Sequence, residues 1–281
     1  MDLQGTVIRP PSEAGSILLQ VSLGCTHNKC TFCGAYPDKS FTIKDRWTVS
    51  NDIRFAARNF RHIRKVFLCD GDALSLPQKL VESILMEIRE TLPWVTRVAS
   101  YGSANGLRRK SDAELRRLRE LGLGMVYMGL ESGDDVVLAA MNKGCDVASI
   151  VKQGKRIMGA GLKLNVTVIN GLGGRKRSLT HARETARALN RLQPQQAAAL
   201  SLMLIPGTPL AQAQKNGEFE LPDPMEMVIE LREMVAGLAL ERSLFLANHS
   251  SNHMPFRARM PRDRENVLRT LDSVLDGRIA P

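Results

Sequence analysis

The sequence predicts an α/β fold, a partial and open (β/α)6-type barrel with a C-terminal extension. Apolar segments that alternate little with polar residues recur between amphipathic segments of helical period, and strands buried on both faces are typical of parallel sheets. No linker rich in glycine, serine or proline divides the 281 residues. Six or seven strand–helix units can be counted, fewer than the eight of a closed barrel.

Seven apolar segments are predicted as strands. The first runs directly into a loop that contains three cysteines, and the sixth ends at Pro206-Gly207, a pair that interrupts regular structure. The predicted strands are residues 16–23, 65–69, 94–101, 125–130, 162–169, 197–204 and 243–247.

Six amphipathic segments are predicted as helices. Ser111 and Glu114 have the spacing of a capping box, in which each side chain bonds the backbone N–H of the other residue. Asp223, Pro224 and Glu226 supply an N-cap, a first-turn proline and an acid at the third position. The predicted helices are residues 78–91, 111–121, 146–159, 180–192, 223–240 and 264–275.

We expect a single domain over residues 1–281, in which residues 16–210 form the core and residues 211–281 an extension that closes one side. Apolar residues make up 43% of the chain, which is enough for a sizeable core. The net charge of +10 predicts attraction to nucleic acid, phosphates, carboxylates or an acidic partner, and it is also typical of an organism with generally basic proteins.

The sequence predicts a cytoplasmic location. The odd count of five cysteines, three of them within nine residues, does not fit a secreted disulfide framework. The amino-terminal residues lack the apolar core of a signal peptide, and no apolar run reaches the ~18 residues of a membrane span. We therefore expect a reducing compartment and no membrane partner.

The chemistry is expected in the loop of Cys25, Cys30 and Cys33, which are spaced C-x4-C-x2-C. Three thiols this close cannot all pair as disulfides, and a structural zinc site needs a fourth ligand. Three thiolates on one short loop suit an iron–sulfur cluster that leaves one iron open to an external ligand. A zinc site with His27 as its fourth ligand is the alternative.

Polar segments follow six of the seven predicted strands, at the carboxyl ends of a parallel sheet. Reacting groups of α/β enzymes gather at that edge, so these segments are expected to contribute to one site. They are residues 25–33, 69–74, 131–132, 170–177, 206–209 and 248–253.

This ordered set of motifs resembles the radical S-adenosylmethionine (SAM) superfamily over most of residues 16–210. The resemblance implies that Cys25, Cys30 and Cys33 bind a [4Fe–4S] cluster, whose fourth iron takes the amino and carboxylate groups of SAM. Reduction of the cluster then cleaves SAM to methionine and a 5′-deoxyadenosyl radical that abstracts hydrogen from a substrate. The usual first spacing of the family is C-x3-C, so this loop has one additional residue.

Four residues are expected to bind SAM because they match motifs of the family on either side of the second strand. Phe32 corresponds to the aromatic residue that packs near the adenine. Asp70, Gly71 and Asp72 stand where the family has Gly-Gly-Glu, which binds the methionine amino group. The two acids also suit the caps of an ordinary turn.

The segment MGLESG at residues 128–133, followed by MNKG, resembles the branch of coproporphyrinogen dehydrogenase, the Elongator subunit and the methylthiotransferases. This likeness implies that Glu131 and Ser132 approach the ribose and methionine of SAM; the alternative for Glu131 is a pair with a helix arginine. Residues 166–174 resemble the segment that supports the adenine, and Asn165 and Arg175 are expected cofactor-binding residues beside it. For Arg175 the alternative is an ordinary solvated helix start.

The motifs do not identify the residue that acts on the substrate, and the candidates are His249 and Cys69. His249 lies in the segment NHSSNHMP, which resembles an uncharacterised radical SAM group. The alternatives are a surface-loop histidine and a packing thiol. Cys145, at a predicted helix start, is expected to be structural.

We therefore expect a radical SAM enzyme, with an anionic substrate as the favoured hypothesis. The expected partners are an electron donor of the flavodoxin or ferredoxin type and a small-molecule substrate, with RNA as the alternative substrate. After one cluster two cysteines remain, too few for a second cluster held by cysteines alone. The alternative function is a non-catalytic, basic Fe–S or zinc-binding module that docks RNA or an acidic partner.

Overall fold

The computed structural model describes residues 1–278, which contain ten β-strands. The short strands β2 and β3 pair with each other, and the other eight form one sheet. The strands are β1 (Ile17–Gln20), β2 (Ser22–Leu23), β3 (Thr42–Ile43), β4 (Lys65–Cys69), β5 (Arg97–Tyr101), β6 (Leu123–Glu131), β7 (Lys163–Asn170), β8 (Gln196–Ser201), β9 (Ser243–Leu246) and β10 (Arg257–Met260).

Ten α-helices lie in the same residues. Two of them, α2 and α10, match their predicted bounds at both ends, and the capping boxes predicted for α4 and α9 are both formed. The helices are α1 (Arg46–Asn59), α2 (Gln78–Thr91), α3 (Ala104–Leu107), α4 (Asp112–Glu120), α5 (Asp135–Ala140), α6 (Val147–Gly159), α7 (Gly174–Leu192), α8 (Pro209–Lys215), α9 (Pro224–Ala236) and α10 (Arg264–Leu275).

The main sheet has the strand order β1-β4-β5-β6-β7-β8-β9-β10. The neighbours from β1 to β6 and from β7 to β9 pair in parallel, and β10 pairs antiparallel to β9. Six of the seven predicted strands correspond to one sheet strand each, and the first, residues 16–23, contains both β1 and β2. The predicted α/β class is confirmed.

Strand β10 is an edge strand that the sequence analysis does not predict. Its residues alternate between exposed Arg257 and Arg259 and buried Ala258 and Met260. Because an antiparallel edge strand buries one face only, it lacks the continuous apolar run by which the other strands are recognised.

Helix α1 is also absent from the prediction. Its buried side includes Val49 and Ile53, and Asp45 caps its start by accepting a hydrogen bond from the Thr48 backbone N–H at 2.9 Å. Two large apolar side chains lie on its outer side, however, with Trp47 71% and Phe55 43% exposed. They interrupt the apolar stripe that identifies an amphipathic helix.

Backbone contacts divide the chain into two compact units. The first contains residues 1–28, 35–128 and 153–164, and the second contains residues 29–34, 129–152 and 165 onward. The prediction of a single domain stays a prediction, and residues 279–281 of its C-terminal extension lie outside the described residues.

Each unit has its own apolar cluster. The buried members are Phe67, Cys69, Ala99, Met125 and Tyr127 in the first unit, and Val137, Met141, Leu172, Leu202 and Leu210 in the second. Over residues 1–278, no helix has the length and apolar composition needed to cross a membrane.

Candidate functional site

The loop that contains Cys25 is bound to the loop after β4, within the first unit. Strand β2 ends at Leu23, and Gly24 turns the chain with a φ of +71°, a conformation that favours glycine. The Gly24 carbonyl accepts a hydrogen bond from the Gly71 N–H at 3.1 Å, and the Gly24 N–H donates to Oδ2 of Asp70 at 3.1 Å. Cys25 therefore follows a residue whose N–H and carbonyl groups are both hydrogen-bonded to the loop after β4.

Gly71 leaves room for Cys25. A Cβ atom at position 71 would lie 2.9 Å from Cβ of Cys25 and 2.8 Å from Cε2 of Tyr36. Both distances are shorter than real Cβ contacts, so any side chain at position 71 would displace the cysteine loop or the tyrosine. Gly71 thus lies beside Cys25, and its role in SAM binding stays a prediction.

Asp70 is a fully buried acid that holds this loop in place. Its Oδ2 accepts from Nε2 of Gln20 and from Nζ of Lys39, each at 3.1 Å, in addition to the Gly24 N–H. Its Oδ1 is buried and has no hydrogen-bond partner among residues 1–278. Asp70 therefore has a compensating cation and one acceptor atom that the described residues do not use.

The amino-terminal segment is bound by the same two side chains. The Gln4 N–H donates to Oε1 of Gln20 at 2.8 Å, and Nε2 of Gln20 donates to the Gln4 carbonyl at 3.2 Å. Nζ of Lys39 donates to the Thr6 carbonyl at 2.7 Å. Gln20 and Lys39 thus join the amino-terminal segment to Asp70.

Asp72 uses both of its carboxylate oxygens within the protein. Oδ2 accepts from Oγ1 of Thr26 at 2.8 Å and from Oγ of Ser103 at 2.6 Å, and Oδ1 accepts from the Ser103 N–H at 2.9 Å. The side chain is fully buried. These bonds fit the alternative of a turn-anchoring acid, and a role of Asp72 in SAM binding stays a prediction.

Cys69 lies inside the apolar cluster of the first unit. Its thiol is fully buried and donates to the Phe67 carbonyl at a sulfur–oxygen distance of 3.6 Å. Burial, together with the negative charge of Asp70, raises the pKa of the Cys69 thiol to about 12. The thiol is therefore protonated at neutral pH, which favours packing over catalysis for this candidate.

The segment with Cys30 and Cys33 belongs to the second unit, where its backbone is bound on two sides. The Thr31 N–H donates to the Met141 carbonyl at 3.0 Å, and the Thr31 carbonyl accepts from the Leu210 N–H at 3.0 Å. Phe32 is half-buried against the apolar cluster of this unit. A packing role accounts for this position, and contact of Phe32 with adenine stays a prediction.

Glu131 forms an ion pair with Lys143, with an Oε1–Nζ distance of 2.9 Å. Glu131 has a φ of +63°, and a Cβ at Gly129 would lie only 1.9 Å from Oε1 of Glu131, so the pair requires glycine at that position. Burial lowers the pKa of Lys143, but the negative charge of Glu131 outweighs burial and raises the pKa overall. The partner of Glu131 is thus a lysine of the MNKG segment, not a helix arginine.

Ser132 is buried in the turn that follows Glu131. Its Oγ accepts from the Asp134 N–H at 2.9 Å. Asp134 in turn caps α5 through the Val136 N–H at 2.9 Å and accepts from Nε and Nη2 of Arg177 at 3.0 and 2.7 Å. These bonds are those of a structural turn, and the contact of Ser132 with SAM stays a prediction.

Asn165 and Arg175 both have partners of their own within the second unit. Asn165 is near the start of β7, and its Nδ2 donates to Oε1 of Gln196 at 3.0 Å. The Arg175 side chain is 44% exposed and pairs with Glu220 and Glu226 at the surface. The acids around Arg175 cannot be read from the motif, and binding of SAM by Asn165 or Arg175 stays a prediction.

His249 is held at the carboxyl end of β8. Its Nδ1 lies 2.8 Å from Oγ of Ser251 and accepts from the Ser251 N–H at 3.1 Å, and Oγ of Ser251 accepts from the Ser201 N–H at 3.1 Å. Burial lowers the pKa of His249. The imidazole is therefore neutral at pH 7, with its proton on Nε2, while His253 of the same loop is exposed.

Four residues of these networks are not identified by the sequence motifs: Thr26, Lys39, Ser103 and Lys143. For Lys143 a signal exists, because it is the cation of the MNKG segment. Lys39 and Ser103 belong to no motif, and they meet their acids 31 residues away along the chain in each case. Only the folded structure reveals them.

The cysteines supply the donor set that an iron–sulfur cluster requires. None of the five is in a disulfide. Cys25 lies in the first unit, whereas Cys30 and Cys33 lie in the second. Over residues 1–278, no group of three or more His, Cys, Asp or Glu side chains is arranged to hold a metal ion.

A family model described as the radical SAM superfamily matches residues 19–189, more than half of the chain. The chain belongs to the radical SAM superfamily. Membership of this family of enzymes implies a [4Fe–4S] cluster, SAM and an electron donor. No curated protein sequence matches this radical SAM protein.

Solved structures share the fold of this radical SAM protein at low sequence identity. HemN, the coproporphyrinogen III oxidase of Escherichia coli, has a TM-score of 0.59 and 17% identity, over 79% of this chain and 51% of that one. The maturase HydG has a TM-score of 0.56 and 16% identity, over 89% of this chain and 54% of that one. Elp3 of Methanocaldococcus infernus has a TM-score of 0.54 and 12% identity, over 94% of this chain and 63% of that one. The chain thus spans between 51% and 63% of these three proteins.

Proposed function

We propose that this chain is a radical SAM enzyme that binds a [4Fe–4S] cluster through Cys25, Cys30 and Cys33. When bound and reduced, the cluster supplies the electron that cleaves SAM to methionine and a 5′-deoxyadenosyl radical, which abstracts hydrogen from a small anionic substrate. The observation that carries the proposal is the C-x4-C-x2-C loop inside the segment that matches the family.

The backbone around the cysteines supports cluster binding in spite of the additional residue. Cys25 follows Gly24, which is hydrogen-bonded to Gly71 and Asp70. Thr31, between the other two cysteines, is bound to Met141 and Leu210. The residues on either side of the longer C-x4-C arm are thus anchored, each within its own unit.

Two groups of residues support SAM binding. Asp70 retains a buried acceptor oxygen, which suits a donor such as the ammonium group of SAM. Glu131 and Lys143 present one carboxylate and one ammonium group side by side, which suits the zwitterionic methionine part of SAM. In this proposal Lys143 also provides a positive charge near Cys30, one of the proposed cluster ligands.

On the substrate side, His249 is the candidate for proton transfer, because its imidazole is neutral at pH 7 and fixed by Ser251. Cys69 is given no catalytic role, because its thiol is buried and protonated. An electron donor of the flavodoxin or ferredoxin type would reduce the cluster.

The test is anaerobic reconstitution with iron and sulfide, followed by dithionite and SAM, with 5′-deoxyadenosine measured by mass spectrometry. We expect product from protein that holds about four irons per chain, and no product from Cys25→Ala, Cys30→Ala or Cys33→Ala. Cys145→Ala is the matched control and should retain product formation. A Cys30→Ala protein that still forms 5′-deoxyadenosine would refute the proposal, and tight zinc with intact SAM would favour the non-catalytic binding module.

A further inference from the structure

A cavity of about 490 Å³ lies in the first unit, beside the residues that follow Cys25. Three loops form its wall: the cysteine loop, the loop after β4 and the segment after β5. The residues that matter for its chemistry are Thr26, His27, Ser75, Asn105, Arg108 and Arg109. Its volume is within the usual range of small-molecule sites.

Arg108 and Arg109 give this cavity a positive charge that the described residues do not neutralise. Both side chains are exposed, and no carboxylate of residues 1–278 lies within ion-pair distance of either. Elsewhere in the same unit, Arg46 pairs with Glu87 and Arg97 with Glu13. Two neighbouring guanidinium groups that have no carboxylate partner among the described residues thus line one concave surface.

The backbone that presents the two arginines is anchored at both ends. Leu107 is fully buried on one side, and Lys110 on the other is 5% exposed, with Nζ 3.1 Å from both the Leu76 carbonyl and Oε1 of Gln78. Arg156 donates to the carbonyls of Leu107 and Lys110. Because this turn is fixed, little order is lost when a ligand binds to Arg108 and Arg109.

The hydroxyl groups of Thr26 and Ser75 in the wall already donate hydrogen bonds within the protein. Oγ1 of Thr26 donates to the carboxylate of Asp72, and Oγ of Ser75 donates to the Asp72 carbonyl at 2.7 Å. Asp72 itself lies behind Gly106, where a Cβ would approach its Oδ2 to 2.9 Å, and its two oxygens accept three hydrogen bonds from Thr26 and Ser103. An anion in the cavity would therefore be bound chiefly by the two guanidinium groups.

We propose that this cavity binds the anionic group, a carboxylate or phosphate, of a small-molecule substrate through Arg108 and Arg109. This inference rests on the proposed function and assigns its substrate a class and a place. Guanidinium groups bind such oxyanions with two parallel hydrogen bonds. Thr26 follows Cys25 directly in the chain, so an anion held here lies next to the cluster loop. A concave site of this size favours a small molecule over RNA, whose phosphates need an extended basic surface.

The experiment uses the anaerobically reconstituted protein and titrates citrate and inorganic phosphate separately by calorimetry at low ionic strength. We expect Arg108→Ala/Arg109→Ala to weaken binding of the tighter probe about ten-fold or more. Arg116→Ala/Arg191→Ala removes the same charge from two exposed arginines outside the cavity and should bind as the wild type does. Arg108→Gln/Arg109→Gln serves as a second variant if the alanine protein does not fold.

Four results would overturn the proposal. They are the absence of citrate and phosphate binding to the wild type, equal weakening in the two double variants, an equal loss of SAM affinity in Arg108→Ala/Arg109→Ala, and binding of single-stranded RNA but of neither small anion. The third result would assign the cavity to the carboxylate of SAM. If the wild type binds citrate but forms no 5′-deoxyadenosine, the proposed function fails while the anion site is supported.

Discussion

The acids that follow β4 and the acid that ends β6 show that carboxylates at the ends of strands serve two purposes. Asp70 and Asp72 are fully buried, and neighbouring loops supply most of their hydrogen bonds. Glu131 is 13% exposed and has one lysine as its partner. A carboxylate that accepts hydrogen bonds from several backbone and side-chain donors fixes the loops around it. A carboxylate in a single ion pair can exchange its partner for a ligand. The following predictions test this difference.

The largest effect is expected for Asp70→Ala. Lys39 is 14% exposed and would lose its only carboxylate partner among the described residues, while Gln20 and the Gly24 N–H would lose an acceptor. We expect the free energy of unfolding in urea to fall by about 3–5 kcal/mol. Asp38→Ala, at an exposed position, is the control and should change it by less than about 0.5 kcal/mol. Similar values for the two variants would show that Asp70 does not anchor the loop.

Gly71→Ala tests whether the β4 loop positions the cluster ligand. The new methyl group would meet Tyr36 and Cys25, so we expect a loss of about 1–3 kcal/mol in stability. We also expect a lower iron content after reconstitution, because Cys25 must move. Gly159→Ala has no heavy atom within 4 Å of its methyl group and should keep full iron loading. Full iron content in Gly71→Ala would show that the β4 loop does not position the cluster ligand Cys25.

Glu131→Gln should affect ligand binding more than stability. The amide can still accept from Lys143, so we expect the free energy of unfolding to fall by only about 1 kcal/mol. SAM affinity, measured by anaerobic calorimetry, should fall about ten-fold, because a charged acceptor is lost. Glu220→Gln changes the surface pair with Arg175 in the same way and should leave SAM affinity unchanged. Unchanged SAM affinity in Glu131→Gln would show that Glu131, like Asp70 and Asp72, serves to fix the loops.

The smallest effect is expected for His249→Gln, and it depends on pH. Burial lowers the pKa of His249 in the folded protein, so the unfolded chain binds a proton first as the pH falls. Stability from the neutral histidine is therefore present above about pH 6.5 and is lost as the pH falls through the folded pKa. In His249→Gln, the decrease in melting temperature between about pH 7 and pH 5 should be smaller than in wild type. His253→Gln, at the exposed histidine of the same loop, should not change this decrease.

The sequence predicted the bounds of those helices whose apolar residues follow the helical period and are buried in the structure. The helix α2 and the helix α10 match at both ends because their apolar period is regular. The helix α7 begins at Gly174, six residues before its predicted start. The prediction missed its first turn because Gly174, Arg175, Lys176 and Arg177 include no apolar side chain that would show the helical period. The antiparallel strand β10 and the helix α1 carry charged or exposed apolar residues that obscure their period.

For the candidate site, the sequence identified the loops but not the partners of their side chains. It placed the cysteine loop, residues 69–74 and residues 131–132 correctly at strand ends. It assigned both Asp70 and Asp72 to SAM, yet among the described residues both oxygens of Asp72 have partners and one oxygen of Asp70 has none. Which acid is satisfied depends on Ser103 and Lys39, and residues this distant in sequence meet only through the tertiary structure.

The shared bonds of Gln20, Lys39 and Asp70 have a consequence for evolution. Gln20 bonds both Gln4 and Asp70, and Lys39 bonds both the Thr6 carbonyl and Asp70, so one substitution alters two connections. A neutral residue at position 70 would leave a largely buried cation, and a neutral residue at position 39 would leave a buried anion. In descendants of this sequence, positions 20, 39 and 70 should therefore covary, and intermediates that change only one of them should be the least stable.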